Sequence, residues 1–166
     1  NANGMIIGSF IYPRGTTTGA STVYATHDGG KSWTPTLQGE LLNNTSDPAP
    51  AFGPDGTAYY TVAALGGAGT PRAERKMLMF RSNDGGTNWN QLKAFTYTDR
   101  QYVVVDGTGG KYHGRIYVNG NNRLPPGAPS DYVVFVSKDK GETFTGPHTR
   151  ADFGKHTAGL MGNAVV

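Results

Sequence analysis

One eight-residue pattern occurs three times and fixes most of what this chain can fold into. It reads Thr26-His27-Asp28-Gly29-Gly30-Lys31-Ser32-Trp33, then Ser82-Asn83-Asp84-Gly85-Gly86-Thr87-Asn88-Trp89, then Ser137-Lys138-Asp139-Lys140-Gly141-Glu142-Thr143-Phe144. The shared positions are a hydroxyl, an Asp, a Gly, a small polar residue and an aromatic. Asp28, Asp84 and Asp139 are 56 and 55 residues apart. Self-similarity at a nearly fixed period is how a repeat architecture shows itself in sequence.

Each copy lies between strand-like runs. Met77-Leu78-Met79-Phe80 precedes the second and Tyr132-Val133-Val134-Phe135-Val136 the third. Asp-x-Gly between apolar runs predicts a hairpin turn. The Asp accepts hydrogen bonds from backbone N–H groups of its own turn, and Gly takes the positive φ the turn needs. The closing aromatic then anchors the next strand to the core. A calcium loop is the rival reading, but each copy offers one carboxylate near the turn, apart from Glu142 in the third. A hard divalent cation needs several oxygen ligands.

These octapeptides resemble the Asp-box (BNR) repeat of the sialidase-type β-propellers, Ser/Thr-x-Asp-x-Gly-x-Ser/Thr-Trp/Phe/Tyr. The first and third copies fit every position; the second departs at Asn88. With matching flanks, the resemblance covers nearly the whole chain. It implies an all-β fold, a β-propeller of four-stranded antiparallel blades, with each box at the outer hairpin of a blade. Asp28, Gly30, Trp33, Asp84, Gly86, Trp89, Asp139, Gly141 and Phe144 then have structural roles. Families sharing the box include sialidases, other glycosidases, sorting receptors and assembly factors, so it does not by itself define an activity.

The flanks repeat as well. Asp47-Pro48-Ala49-Pro50-Ala51-Phe52 runs through Gly53-Pro54-Asp55-Gly56 into Thr57 to Val62; Asp99 to Val105 runs through a Gly-rich turn into Arg115-Ile116-Tyr117-Val118. Each unit therefore reads strand, turn, strand, long loop, strand, box, strand. The predicted blades are 1–40, which lacks its first strand, then 45–96 and 98–148, with the first strand of a further blade in 152–166. Long loops are expected at Ala64 to Lys76 and Asn119 to Asp131. About three blade equivalents are present, half of a six-bladed ring. Such a half ring bares apolar faces and strand edges. Closure is expected from a longer chain or from a second copy, whose strand near Leu160 to Val166 would complete a partner's first blade.

Composition agrees with turn-rich β structure: 166 residues, 25 Gly, 10 Pro, 36% hydrophobic and 11% aromatic residues, and no cysteine. The length suggests one domain or part of one, and the missing cysteines exclude a disulfide scaffold. No run is long and apolar enough to span a membrane. A net charge of +3 with acids interleaved gives no basic stripe, so nucleic acid is not an expected partner. The opening Asn1-Ala2-Asn3-Gly4, without an initiator Met, reads as a processed or incomplete chain. A secreted, periplasmic or cell-surface location is expected. Gly66-Gly67-Ala68-Gly69 is followed by no helix pattern and is not a phosphate loop. The histidines show no metal-ligand spacing; no metal or cofactor is expected.

The alternation of strand direction puts the boxes on one rim and the long loops and starts of the inner strands on the other, beside the channel. Arg14, Arg72, Arg75, Arg100 and Arg123 fall on that second rim and are candidates to hold a ligand. Arg suits a planar carboxylate through paired hydrogen bonds. The sialidases clamp a sugar carboxylate with an arginine triad, so the resemblance implies part of such a clamp, acting on or binding acidic glycans. Hydrolysis there would use a Tyr nucleophile, which makes Asp47, Asp99 and Tyr102 candidate catalytic groups. Asp99-Arg100 before Tyr102 looks like the family's inner-strand motif, with Asp47-Pro48 its counterpart one unit earlier. Three readings remain open: a sialidase-type hydrolase, a non-catalytic propeller binding glycan or protein, and a structural blade array. At Asp47 and Asp99 a tie between neighbouring blades competes with catalysis.

Overall fold

The computed structural model describes residues 4–11, 19–67, 69–122 and 131–149, and these form antiparallel β-sheets with no α-helix among them. Sheet 1 contains β1 (Met5–Ile11), β2 (Ala20–Thr26) and β3 (Thr34–Leu37). Sheet 2 contains β4 (Thr45–Phe52), β5 (Ala58–Ala64), β6 (Lys76–Ser82), β7 (Asn90–Gln91) and β8 (Phe95–Thr96). Sheet 3 contains β9 (Asp99–Val105), β10 (Ile116–Asn122), β11 (Asp131–Ser137) and β12 (Thr145–Thr149). Neighbours in sequence are neighbours in each sheet, apart from β8, which pairs with β6 beside β7. β7 and β8 are two parts of one edge: the Leu92 N–H still donates to Met79 O at 2.8 Å between them.

Alternation along the strands explains the packing. In β5 and β6, Tyr59, Met77 and Met79 enter one core with Val103, Val105, Ile116, Val118, Val133 and Phe135 of sheet 3. Their sequence neighbours Ala58, Tyr60, Val62, Leu78 and Phe80 enter a second core with Ile6, Val23 and Ala25 of sheet 1. A strand with apolar residues at both parities is a strand buried on both faces. Sheet 2 therefore lies between the other two. Each sheet thus has a rear face, toward the earlier sheet, and a forward face, toward the later one. β4 packs against β1 on one side and β9 on the other. The 3-10 turn Glu40–Leu42 joins sheets 1 and 2, burying Leu42; Thr45 Oγ1 donates to Leu42 O at 2.6 Å and lies 2.8 Å from Ser21 Oγ.

Two details differ from the sequence reading. The predicted loop from Asn119 to Asp131 is shorter, because β10 continues through Asn122 and β11 begins at Asp131. Polar letters do not end a ladder whose backbone remains paired: Asn119 sits opposite Val134, and Asn121 opposite Tyr132. Likewise Ala64 and Lys76 pair with each other, so that loop is 65–75 and contains the 3-10 turn Arg72–Glu74. The further strand expected in 152–166 lies outside the described residues.

The sheet 1–sheet 2 joint is tight at Gly8, where an added Cβ would lie 2.8 Å from Pro48 Cβ and 3.1 Å from Tyr60 Cε2. A proline ring fused to its backbone and a buried tyrosine ring cannot both retreat, so overpacking costs stability. Gly8→Ala is expected to destabilise the fold by about 1–3 kcal/mol, read as a lower midpoint in denaturant unfolding with an unchanged slope.

Candidate functional site

The box turns are built alike. In the second, Ser82 Oγ is buried, donates to Asp84 Oδ1 at 2.6 Å and accepts the Gly86 N–H at 2.9 Å. Asp84 also accepts the N–H groups of Thr87 (3.1 Å) and Asn88 (2.9 Å). In the first, Asp28 accepts from Thr26 Oγ1, Lys31 N, Ser32 N and Ser32 Oγ at 2.6–3.0 Å. In the third, Asp139 accepts from Ser137 Oγ, Thr143 N and Thr143 Oγ1 at 2.5–3.0 Å. Asn88, which departs from the repeat, substitutes functionally: its Nδ2 donates to Asp84 Oδ2 at 2.7 Å, where the other copies use a hydroxyl. Gly85 and Gly86 have φ of 72° and 92°, the left-handed region glycine enters without steric cost; in the third copy Lys140 takes that conformation at 56°.

The three boxes lie side by side. His27 Nε2 is 3.1 Å from Thr87 Oγ1. Arg81, just before the second box, donates to Lys140 O (3.0 Å) and pairs with Glu142 (2.6 Å) in the third. The closing aromatics of the second and third boxes reach the preceding sheet, whereas Trp33 in the first is 38% exposed. Trp89 Nε1 donates to Thr36 Oγ1 of sheet 1 at 3.1 Å, and the Phe144 ring meets Phe95 of sheet 2 edge-on at 4.6 Å. An open pocket of about 250 Å³ lies on this box edge, lined in part by Asp55, Tyr59, His113, Lys138 and Lys140. It is on the rim opposite the one where the sequence places a ligand. Lys140 Nζ is already 2.7 Å from Asp55 Oδ2, so the two charges there largely satisfy each other.

On the opposite rim, β4 and β9 each carry one extra residue against their partner strand, after Ser46 and after Asp99. The extra residue is left-handed in both: Asp47 at φ 55° and Arg100 at φ 54°. This corrects the sequence alignment by one position. Asp47 corresponds to Arg100, not to Asp99, because the bulge rather than the carboxylate is what repeats. The bulges join the sheets: Asp47 Oδ2 accepts the Arg100 N–H at 3.3 Å, and Asp47 O accepts Gln101 Nε2 at 2.5 Å. Asp47 is thus a tie between sheets 2 and 3.

The other candidates spread around this joint. The Arg100 side chain is exposed. Arg75 is half-buried, its guanidinium 5.8 Å from the Tyr97 ring centre, and the Tyr97 hydroxyl donates to Asp99 Oδ1 at 3.4 Å. Tyr102 packs against the core between sheets 2 and 3, and among the described residues it has no carboxylate partner. Arg72 stands in the 3-10 turn beside Arg75; Arg14 and Arg123 lie outside the described residues. Sequence reasoning missed the amides: Gln101 Oε1 and both side-chain polar atoms of Asn119 and Asn121 are buried with no hydrogen-bond partner among the described residues. The only available signal was two asparagines at alternate positions of a strand. Among the described residues no cluster of His, Asp or Glu has the make-up of a metal site, and no helix is long and apolar enough to cross a membrane.

No family model and no curated protein matches the chain. Its fold is similar to a crystal structure of a protein of unknown function from Dyadobacter fermentans DSM 18053, with a TM-score of 0.56 and 18% identity. The match covers 87% of this chain and 50% of that one, so this chain spans about half that protein's length.

Two outcomes are expected from the box chemistry. Ser82→Ala removes a buried hydroxyl that serves Asp84 and the Gly86 N–H together, at a cost of about 1–3 kcal/mol in denaturant unfolding, whereas Asn88→Ser is expected to be nearly neutral. The box carboxyls also set an acid limit. Asp84 and Asp139 are lowered from the usual 3.8 to about 2, chiefly by the Asn88 backbone N–H and the Thr143 hydroxyl respectively. Asp28 is lower still, chiefly through the Ser32 hydroxyl. Groups depressed in the folded state contribute stability that is complete above the unfolded value and lost as pH falls toward the folded one. Thermal unfolding is therefore expected to hold its midpoint down to about pH 4 and to lose it steeply toward pH 2, with a weaker slope in Asp84→Asn.

Proposed function

We propose that this chain is a portion of an Asp-box β-propeller that binds acidic glycan at the rim where β4 and β9 begin, without hydrolysing it. Three successive sheets with their boxes on one common edge, two of them with a left-handed bulge on the other, support the propeller. The observation that carries the ligand reading is Arg100: a left-handed bulge backbone, tied down through its N–H, leaves its guanidinium exposed. An exposed guanidinium on an anchored backbone, at the same rim as Arg75, suits a sugar carboxylate. Binding is favoured over sialidase-type catalysis because a Tyr nucleophile needs a neighbouring carboxylate to take its proton. Tyr102, the tyrosine the sequence offers, has no hydrogen-bonded carboxylate among the described residues; Tyr97, whose hydroxyl meets Asp99, is buried; and Glu142 is engaged by Arg81 on the opposite edge. The remainder of the ring comes from outside these three sheets, and the proposed location is secreted, periplasmic or at the cell surface.

Arg100→Gly separates ligand from fold. The left-handed backbone accepts glycine without strain, while the guanidinium is removed. The chain is expected to bind sialylated oligosaccharide saturably in calorimetry or on a glycan array, with no release of free sialic acid. Arg100→Gly is expected to weaken binding at least tenfold with an unchanged unfolding midpoint. Equal binding by both proteins would refute the site, and turnover of a fluorogenic sialoside would restore the hydrolase reading.

A further inference from the structure

In a repeating fold, departures from the repeat that converge on one place mark functional sites. Three such departures meet on the box edge, at the joint of sheets 2 and 3. The first is a residue type. The fourth position of the box is Gly29 at φ 74° and Gly85 at φ 72°, but Lys140 at φ 56°. Glycine takes this left-handed backbone freely and lysine does not. The lysine held there reaches across the joint: its Nζ lies 2.7 Å from Asp55 Oδ2, in the turn between β4 and β5. The second departure is two residues earlier. The box position filled by His27 and Asn83 in the other copies is Lys138, which is exposed and has no ion-pair partner among the described residues.

The third departure is a length. Residues 53–57 join β4 to β5, whereas residues 106–115, twice as many, join β9 to β10. The longer connection is well ordered by its own bonds. Asp106 Oδ1 accepts the Thr108 N–H at 2.8 Å and the Thr108 hydroxyl at 2.6 Å, and Asp106 O accepts the Gly114 N–H at 2.8 Å. The Arg115 guanidinium lies over the Tyr112 ring, 4.2 Å from its centre. His113 Nδ1 donates to Thr108 O, since a carbonyl can only accept. That leaves Nε2 as the ring nitrogen without a hydrogen bond among the described residues. Compact connections longer than a turn requires frequently carry binding sites.

All three departures border the open pocket of about 250 Å³. Pro54, Tyr59 and Val105 line it with apolar surface, and His113, Lys138 and Lys140 bring nitrogen to it. The carboxylates of this edge are already engaged: Asp55 by Lys140, Glu142 by Arg81, and Asp106 within its own turn. Lys138 is thus a cation beside apolar surface with no anion of its own. A cavity of about 150 Å³ holds benzene, so this pocket has room for one such ring and a charged substituent. Apolar walls with a few placed polar groups are the usual make-up of a small-molecule site.

We propose that this pocket binds a small organic acid, a single apolar ring bearing one carboxylate. Lys138 and the His113 ring meet the carboxylate, the apolar lining takes the ring, and Lys140 neutralises Asp55. The site uses no feature of the Arg100 rim, so it stands or falls separately from glycan binding.

Benzoate is the probe, titrated into the chain and followed by amide NMR. The Gly53, Gly114 and Lys140 N–H signals are expected to shift saturably. Benzamide, of the same shape without the charge, is expected to bind about tenfold more weakly, the worth of one charge-assisted hydrogen bond. Lys138→Gln, at an exposed position, is expected to weaken benzoate by about the same factor. Lys140→Gly restores the glycine of the other boxes, so the unfolding midpoint is expected to hold. Its benzoate binding is nevertheless expected to fall, because Asp55 then lines the pocket without its counter-charge. Pocket signals that ignore benzoate, benzamide binding as tightly as benzoate, or either folded variant binding benzoate as the unaltered chain does would overturn the proposal.

Discussion

Sheet 2 has no polar face. Its two central strands place methionine and tyrosine on one side and tyrosine, valine, leucine and phenylalanine on the other, so it is stable only between two further sheets. Burial of apolar area is the dominant favourable term in folding, and here it is available only through stacking. The bulges, box turns and linkers position one sheet against the next so that this burial can occur. A sheet built in this way passes the same demand on to its neighbours, and sheet 1 carries Met5, Ile7 and Ile11 exposed on the face turned away from sheet 2.

The two edges of the stack solve different problems. On the box edge, an exposed carboxylate stays ionised because it accepts several N–H and O–H bonds within five residues, giving a turn that needs no help from elsewhere. On the opposite edge the left-handed residues Asp47 and Arg100 leave backbone groups that only the adjoining sheet can reach. Local self-sufficiency on one side and mutual dependence on the other suits a chain that folds hairpin by hairpin and then docks sheet on sheet. In quasi-one-dimensional architectures stability is close to a sum of unit terms and nearest-neighbour joints.

Much of this was legible in the sequence, and the failures have identifiable causes. The all-β class and the positions of the strands follow from box spacing and apolar alternation, because both record a backbone period. The hydrogen bonding of the box follows from its residue types. The role of Asn88 does not, since a pattern written in hydroxyls hides an amide that reaches the same carboxylate oxygen. The rim was harder to read. Asp47 and Asp99 look equivalent by letter, yet the conserved feature of the geometry is a left-handed bulge, occupied by Asp in one sheet and Arg in the next. Backbone conformation at a non-glycine residue leaves no mark in a one-letter sequence. The partnerless amides of Asn119 and Asn121 were invisible for a related reason: burial of a polar strand position depends on what lies across the joint.

The two tryptophans occupy matching positions in successive boxes but meet different media. The Trp89 indole is wedged between sheets 1 and 2 and hydrogen-bonded at its nitrogen to both Thr36 and the Gly86 carbonyl, whereas Trp33 faces water. Indole emission shifts to the blue when water is excluded, so the intrinsic fluorescence of this protein is a sum of two reporters with separate subjects. One follows whether adjoining sheets hold together, and the other whether anything has come to rest on the open end of the stack.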